Sequence, residues 1–134
     1  MRALDTSVVV PAVVAWHEAH DDIVAVLRDD DTLPAHVALE AYSLLTRLPA
    51  PLRTTPVDAA GVLRARFAPP YLGVGGATSA ALVDRLADAG VRGGAAYDGL
   101  IAVCAQEAGL VLLTRDRRAV TTYDALDVAY ERIG

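Results

Sequence analysis

Lysine is absent from this sequence, whose 12 basic residues are all arginines. The absence excludes mechanisms that require a lysine amine, among them Schiff-base formation and phosphate binding by a P-loop. A single cysteine excludes a disulfide framework and favours a cytoplasmic protein. The apolar run Val8–Ala15 is far shorter than the ~20 residues of a membrane span. We therefore expect a soluble protein that has no membrane partner and no signal peptide.

Aromatic residues are also scarce, at 5% of the chain, whereas apolar residues make up 54% and the mean hydropathy is +0.34. The core must therefore be built mainly from valine, leucine and alanine. The length of 134 residues predicts one domain, residues 1–134. The net charge of −5 disfavours a broad basic face for nucleic acid, so any bound phosphate needs a local source of positive charge.

Strand-like and helix-like segments alternate along the chain. Thr55-Pro56-Val57-Asp58 is typical of a helix start, whereas Val8–Val10 fits a strand and Pro11 with the following alanines fits a helix. The alternation predicts an α/β domain with a mainly parallel sheet. The predicted strands are Arg2–Asp5, Thr32–Leu33, Leu52–Thr55, Leu110–Leu113 and Val128–Tyr130. The predicted helices are His17–Asp29, Pro34–Leu48, Pro56–Ala68, one capped by Thr78 or Ser79, one opened by Gly93 and Gly94, and Arg117–Asp124.

Two predicted helices place a carboxylate on an apolar side. Asp98 lies in the first turn of a helix that is apolar nearly all round, from Leu100 to Ala105, and that we expect to be buried. Glu40 lies three positions after Val37 and four before Leu44, on the apolar stripe of its helix. A buried carboxylate costs on the order of several kcal/mol unless a partner compensates it. Both acids therefore require an explanation.

Two more acids follow predicted strands. Asp5 and Asp116 each come just after the carboxyl end of a strand, where ligands collect in parallel sheets. Together with Asp98 and Glu40 they can meet at one edge of the sheet. Taken alone, each acid has an ordinary alternative. Asp5 and Asp116 can cap helices, Asp98 can face a helix dipole, and Glu40 can be a partnered buried acid or lie on a helix of misjudged phase.

Convergence of the four acids predicts a metal site. Carboxylates drawn together repel one another, and their ionised forms are unstable in a dry site. Mg²⁺ and Mn²⁺ prefer oxygen ligands and relieve both problems. A metal held by acids, with water left on it, is suited to phosphodiester hydrolysis, and the ion supplies the positive charge that the chain lacks.

Four segments resemble the PIN domain, and most closely the VapC-type toxins of toxin–antitoxin pairs. They are Asp5-Thr6-Ser7 after the first strand, Glu40 in an early helix, Tyr97–Ala102 opening a later helix, and Leu112–Asp116 closing a strand. The resemblance covers essentially the whole chain. It implies a PIN-like three-layer sandwich with a mainly parallel, roughly five-stranded sheet flanked by helices.

The same resemblance implies a Mg²⁺- or Mn²⁺-dependent endoribonuclease that is the toxin of a type II system, is inhibited by a small cognate VapB-like antitoxin, and forms a homodimer. Asp5 and Asp98 would be the main metal ligands. Glu40 would bind the metal or orient its water, and Asp116 would complete the catalytic and metal-binding quartet. By position, the supporting polar residues of the family correspond to Thr6 and Thr114. Candidates for contacts to RNA phosphates are the arginines that flank the site, Arg115, Arg117 and Arg118.

Other conspicuous residues have ordinary interpretations. His17 and His20 are three positions apart but lack a zinc motif, and we expect them on a solvated helix face. Cys104 fits core packing, and Trp16 fits a packing or interface residue rather than a base-stacking one.

An alternative function is a PIN-fold interaction module that binds a partner protein without turnover, through an apolar groove between its helices. A phosphotransfer domain of the receiver or haloacid-dehalogenase kind is excluded, since lysine is absent and Asp5 has no second acid two residues on.

Overall fold

The protein, described here over residues 1–134 in a computed structural model, is built on a parallel sheet with strand order β1-β2-β3. Strand β1 is Ala3–Leu4, β2 is Leu112–Thr114 and β3 is Tyr130–Arg132. The predicted α/β class with a parallel sheet flanked by helices is confirmed. The seven helices are α1 (Thr6–Val13), α2 (His20–Val26), α3 (Ala35–Thr46), α4 (Pro56–Arg66), α5 (Gly76–Asp88), α6 (Ala95–Glu107) and α7 (Ala119–Ala125).

The sheet has three strands, fewer than the roughly five expected. Two more segments join it only through isolated parallel bridges, Ala3 with Thr32 and Pro34 with Leu72. The predicted strand at Thr32–Leu33 is cut short because Pro34 has no backbone N–H and α3 begins at the next residue. The predicted strand Leu52–Thr55 is wrong, because this segment leads directly into α4.

Helix starts account for most of the other differences. Val8–Val10 belongs to α1, which contains Pro11. Helix α2 begins at His20, so His17 lies in the turn before it rather than on the predicted helix. Thr78 and Ser79 do not cap α5, which starts at Gly76. Thr78 instead donates to the Glu107 carboxylate, which also accepts from the Gly75 N–H at 2.7 Å.

Other boundaries agree with the sequence. The Thr55 side chain caps α4 by accepting from the Asp58 N–H at 3.2 Å. The core is mainly valine, leucine, isoleucine and alanine, and Tyr123 is its largest fully buried side chain. Gly99 lets α5 approach α6 closely, because a Cβ there would lie 2.4 Å from Leu86 Cδ2. None of the helices combines the length and hydropathy required to cross a bilayer.

Candidate active site

A cleft of about 380 Å³ opens where β1 and β2 end. All four acids singled out in the sequence line it, two from the strand ends and two from α3 and α6, which pack against each other. The strand ends contribute acids because parallel strands finish at one edge of the sheet. The polar residues lining the cleft are Asp5, Thr6, Ser7, His17, Glu40, Asp98, Arg115 and Asp116.

Asp5 is the most buried of the acids, with 3% of its surface exposed. Its Oδ1 accepts hydrogen bonds from the Ser7 N–H at 3.0 Å and the Ser7 hydroxyl at 2.5 Å, so that it caps α1. Its Oδ2 accepts from the Tyr123 hydroxyl at 2.9 Å. Burial raises the pKa of Asp5, while the hydrogen bonds from Ser7 oppose that rise. Asp5 is therefore both a helix cap and a wall of the cleft.

Ser7 connects the two strand ends. Its hydroxyl oxygen accepts from the Arg115 N–H at 2.8 Å and lies 3.4 Å from Thr114 Oγ1. Thr114 is fully buried, and its hydroxyl oxygen accepts from the Asp116 N–H at 3.0 Å. Thr6, by contrast, has a buried hydroxyl with no hydrogen-bond partner. Of the two hydroxyls it is that of Ser7 that connects the strand ends, whereas the supporting role predicted for Thr6 has no hydrogen bond behind it. The available sequence signal for Ser7 was its place two residues after a helix-capping aspartate.

Asp116 also combines two roles. Its Oδ1 accepts from the Arg118 N–H at 2.8 Å and the Ala119 N–H at 3.3 Å, in the turn that leads into α7, which starts at Ala119 rather than at the predicted Arg117. These hydrogen bonds support the turn before α7, which comes near the helix-capping role that is the ordinary explanation for this acid. It does not compete with the site, because the same side chain lines the cleft.

Asp98 carries the clearest electrostatic sign of convergence. Burial, and after it the charges of Asp116, Glu40 and Asp5, raise the pKa of Asp98 to about 6. Asp98 is half-buried rather than withdrawn from solvent, because it lies in the first turn of α6 where the helix borders the cleft. The buried, apolar part of the helix begins after it, from Ile101 to Ala105.

Glu40 faces Asp98 from α3. Its Oε1 lies 2.8 Å from His36 Nε2, yet this buried oxygen has no hydrogen bond of good geometry. The side chain is 39% exposed, because its face of α3 borders the cleft rather than the core. The stripe around it is buried at Val37, Ala41 and Leu45.

The donor set suits a hard divalent cation, although it does not form a finished cage. No three acidic, histidine or cysteine side chains stand together in ligand geometry. The available donors are carboxylate oxygens, which Mg²⁺ and Mn²⁺ prefer. The raised pKa of Asp98 indicates negative charge that the protein itself leaves uncompensated. The residues therefore fit such an ion by their chemistry.

The structure separates the three candidate arginines. Arg115 lines the cleft, whereas Arg117 and Arg118 are exposed outside its lining. His17 also lines the cleft, which the sequence interpretation missed. Its Nδ1 accepts from the Ala19 N–H at 3.0 Å, while His20 Nδ1 lies 2.7 Å from the Pro11 carbonyl oxygen. The sequence carried no signal for His17, because its position depends on the turn between α1 and α2.

Two further residues lie away from the acids. Cys104 is buried in α6, as expected for core packing. Trp16 is 58% exposed and borders a separate apolar groove with Leu48, Leu52 and Val62. This groove is the apolar surface that the alternative function requires.

Comparison with known proteins gives matches along the whole chain. A family model of the PIN domain matches residues 2–125. Ribonuclease VapC40 of Mycobacterium tuberculosis is 44% identical over 133 residues, 99% of this chain and 99% of VapC40. Ribonuclease VapC27 of the same organism is 44% identical over 127 residues, covering 94% and 92% of the two chains. The crystal structure of FitAcB from Neisseria gonorrhoeae has the same fold, with a TM-score of 0.71 at 24% identity over 97% of this chain and 96% of that chain.

Proposed function

This chain belongs to the PIN-domain family and is of the VapC type, and we propose that it is a metal-dependent endoribonuclease. One observation carries the proposal beyond family membership. Asp5, Glu40, Asp98 and Asp116 line one cleft, and the charges of the other three help to raise the pKa of Asp98. Mutually repelling carboxylates destabilise a fold, so their convergence is explained by a function that uses them.

The four carboxylates would hold Mg²⁺ or Mn²⁺, with Asp5 and Asp98 as the main ligands. When bound, such an ion lowers the pKa of a coordinated water and stabilises charge on phosphoryl oxygens. It also offsets the net charge of −5, which otherwise opposes the approach of RNA.

The surrounding residues would orient the substrate. Ser7 and Tyr123 fix both carboxylate oxygens of Asp5, so this side chain needs little rearrangement when the site is loaded. Arg115 supplies a guanidinium at the cleft wall, suited to a backbone phosphate. Arg117 and Arg118 lie further out and would contact flanking phosphates.

The test is cleavage of defined single-stranded RNAs with Mg²⁺ and with EDTA, by the wild type and by Asp98→Asn. We expect cleavage only by the wild type with Mg²⁺. Asp58→Asn is the matched control, because Asp58 also lies in the first turn of a helix but is exposed. Equal cleavage by Asp98→Asn and the wild type would refute the assignment.

We extend the proposal to a type II toxin that a small VapB-like antitoxin inhibits, and that forms a homodimer. The VapC names of the relatives support this role. Expression of the wild type should arrest growth, and expression of Asp98→Asn should not. Co-expression of a small protein encoded beside the gene should restore growth and co-purify with the chain.

A second candidate function is protein binding without turnover, which the apolar groove around Trp16 favours. This function predicts different results for metal binding and RNA cleavage. Calorimetry would detect no Mg²⁺ binding, and no RNA would be cleaved, yet Trp16→Ala would weaken the partner complex.

A further inference from the structure

The rings of His36 and Tyr97 stack across α3 and α6, with centroids 5.3 Å apart and planes 5° from parallel. Tyr97 is nevertheless 59% exposed, so its ring contributes little to the core. His36 Nε2 lies 2.8 Å from Glu40 Oε1, without a hydrogen bond of good geometry. The stacked pair thus presents an aromatic surface to solvent mainly through Tyr97, since the His36 side chain is only 22% exposed.

A second cavity, of about 300 Å³, adjoins this pair. It is lined by His36, Glu40, Gly94, Tyr97 and Asp98, and it shares Glu40 and Asp98 with the acidic cleft. Nothing lies within 4 Å of a Cβ built on Gly94, so the approach on that side is open. A group bound here would stand next to whatever the acids hold.

We propose that His36 and Tyr97 form a platform on which one base of a single-stranded RNA stacks, beside the phosphodiester held in the acidic cleft. This inference rests on the proposed ribonuclease function. Bases of single-stranded RNA bind by stacking on exposed aromatic rings, which places the attached phosphate at a fixed distance.

The charge balance of the cleft favours this assignment. Arg115 is the only arginine that lines the cleft, and the chain as a whole carries a net charge of −5. Phosphate contacts alone therefore give weak attraction for RNA, and stacking adds binding that does not depend on charge. A second copy of the chain is the competing occupant, because Leu39 on the same helix is 63% exposed. The second cavity shares Glu40 and Asp98 with the acidic cleft, and this favours an RNA base over a second copy of the chain.

The experiment measures KM and kcat for a short single-stranded RNA cleaved by the wild type, Tyr97→Leu, Tyr97→Phe and Val83→Ala. Tyr97→Leu removes the ring at similar size, and we expect KM to rise about tenfold with kcat changed less than about twofold. Tyr97→Phe keeps the ring and should restore most of the loss. Val83 is 75% exposed on α5, away from the cavity, so its variant controls for loss of surface apolar area.

A substrate with one abasic nucleotide locates the base. In a series of RNAs with the abasic nucleotide at successive positions, one position should raise KM for the wild type. The same RNA should leave KM of Tyr97→Leu unchanged. An unchanged KM in Tyr97→Leu would overturn the platform. If Tyr97→Leu instead lost self-association in sedimentation experiments without a change in KM, that result would also overturn the platform and assign this face to a second copy of the chain.

Binding of the same RNA, measured by fluorescence anisotropy in the Asp5→Asn background, keeps this test separate from turnover. The Asp5→Asn variant retains a side chain that can cap α1, and residue 5 does not line the second cavity. If the wild type cleaves no RNA, the proposed function fails. The platform fails separately if adding Tyr97→Leu to Asp5→Asn leaves RNA affinity unchanged.

Discussion

The Tyr123 hydroxyl donates a 2.9 Å hydrogen bond to Asp5 Oδ2, joining two buried residues that are 118 positions apart in the sequence. Burial, and after it the charge of Asp5, raise the pKa of Tyr123 far above its ordinary value, so the phenol remains a protonated donor at neutral pH. The bond holds the most buried acid of the cleft from the side opposite Ser7.

Tyr123→Phe removes that donor without opening a cavity. We expect the free energy of unfolding at pH 8 to fall by about 1–3 kcal/mol, because the buried Asp5 carboxylate loses a hydrogen bond. The loss should be smaller at pH 4 than at pH 8, because the raised pKa of Asp5 favours protonation of its carboxyl group as pH falls. Urea denaturation measures both values. Tyr42→Phe is the control, since Tyr42 is half-buried and its hydroxyl makes no hydrogen bond in the protein; an equal loss there would contradict the assignment.

Asp98→Asn should stabilise the metal-free protein at neutral pH. The folded protein binds the Asp98 proton more tightly than the unfolded chain does, because the pKa is raised to about 6 from an ordinary value of about 3.9. Its ionisation therefore lowers stability as pH rises from about 4 through 6. Thermal denaturation in EDTA should show a gain for Asp98→Asn at pH 7.5 that disappears near pH 4. The control Asp58→Asn should instead lose ~0.3–1 kcal/mol, since an exposed first-turn acid favours its helix.

Divalent cation should stabilise the wild type through the same carboxylates. Ligand at about 100 times its Kd adds ~2.7 kcal/mol of stability by mass action. We expect Mg²⁺ or Mn²⁺ to raise Tm of the wild type and of Asp58→Asn, EDTA to reverse the shift, and Asp5→Asn to reduce it strongly. Shifts of the same size in all three proteins would mean that the ion binds elsewhere.

Ser7→Ala and Thr6→Val distinguish the two hydroxyls beside Asp5. Ser7 joins Asp5 to the Arg115 N–H, so its loss should cost about 1–3 kcal/mol of stability and reduce RNA cleavage. Thr6→Val should leave stability within about 0.5 kcal/mol, because the Thr6 hydroxyl is buried without a partner. Denaturation and single-turnover cleavage measure both effects. A larger loss of stability and cleavage in Thr6→Val than in Ser7→Ala would favour the supporting role predicted for Thr6.

His17→Asn tests the histidine that lines the cleft. An asparagine oxygen can still accept from the Ala19 N–H, so the turn before α2 should survive while the ring is lost. We expect kcat/KM for RNA to fall about tenfold, equivalent to one hydrogen bond to a charged group of about 1.5 kcal/mol. His20→Asn is the contrast, since His20 contacts the Pro11 carbonyl and should affect stability instead. Unchanged kcat/KM in His17→Asn would exclude substrate contact.

The convergence of the acids was predictable because it follows from strand direction. Asp5 and Asp116 had to share an edge once both strands were parallel. Helical spacing placed Glu40 and Asp98 on apolar sides of their helices, and in the structure both side chains line the cleft at that edge. The number of strands was not predictable. Pro34 and the start of α3 reduce one predicted strand to a bridge, a competition that hydrophobic pattern does not reveal.

The residues that escaped prediction are fixed by contacts distant in sequence or by irregular backbone. Ser7 gains its role from the Arg115 N–H, 108 positions away, and Tyr123 from Asp5. His17 reaches the cleft through a turn whose shape its own sequence does not specify. Hydrophobic periodicity predicts single helices and strands, whereas the roles of these side chains depend on which helices, strands and turns contact one another.

The bond between Tyr123 and Asp5 spans nearly the entire chain, and it therefore ties the site to the order of synthesis. A ribosome makes Asp5 before Asp116, and Asp116 before Tyr123. A nascent chain interrupted before Asp116 lacks one wall of the cleft, and one interrupted before Tyr123 leaves Asp5 without its phenolic donor. Premature termination at any codon before that of Tyr123 thus yields a fragment without a finished cleft, and the site can form only on a chain whose translation has passed Tyr123.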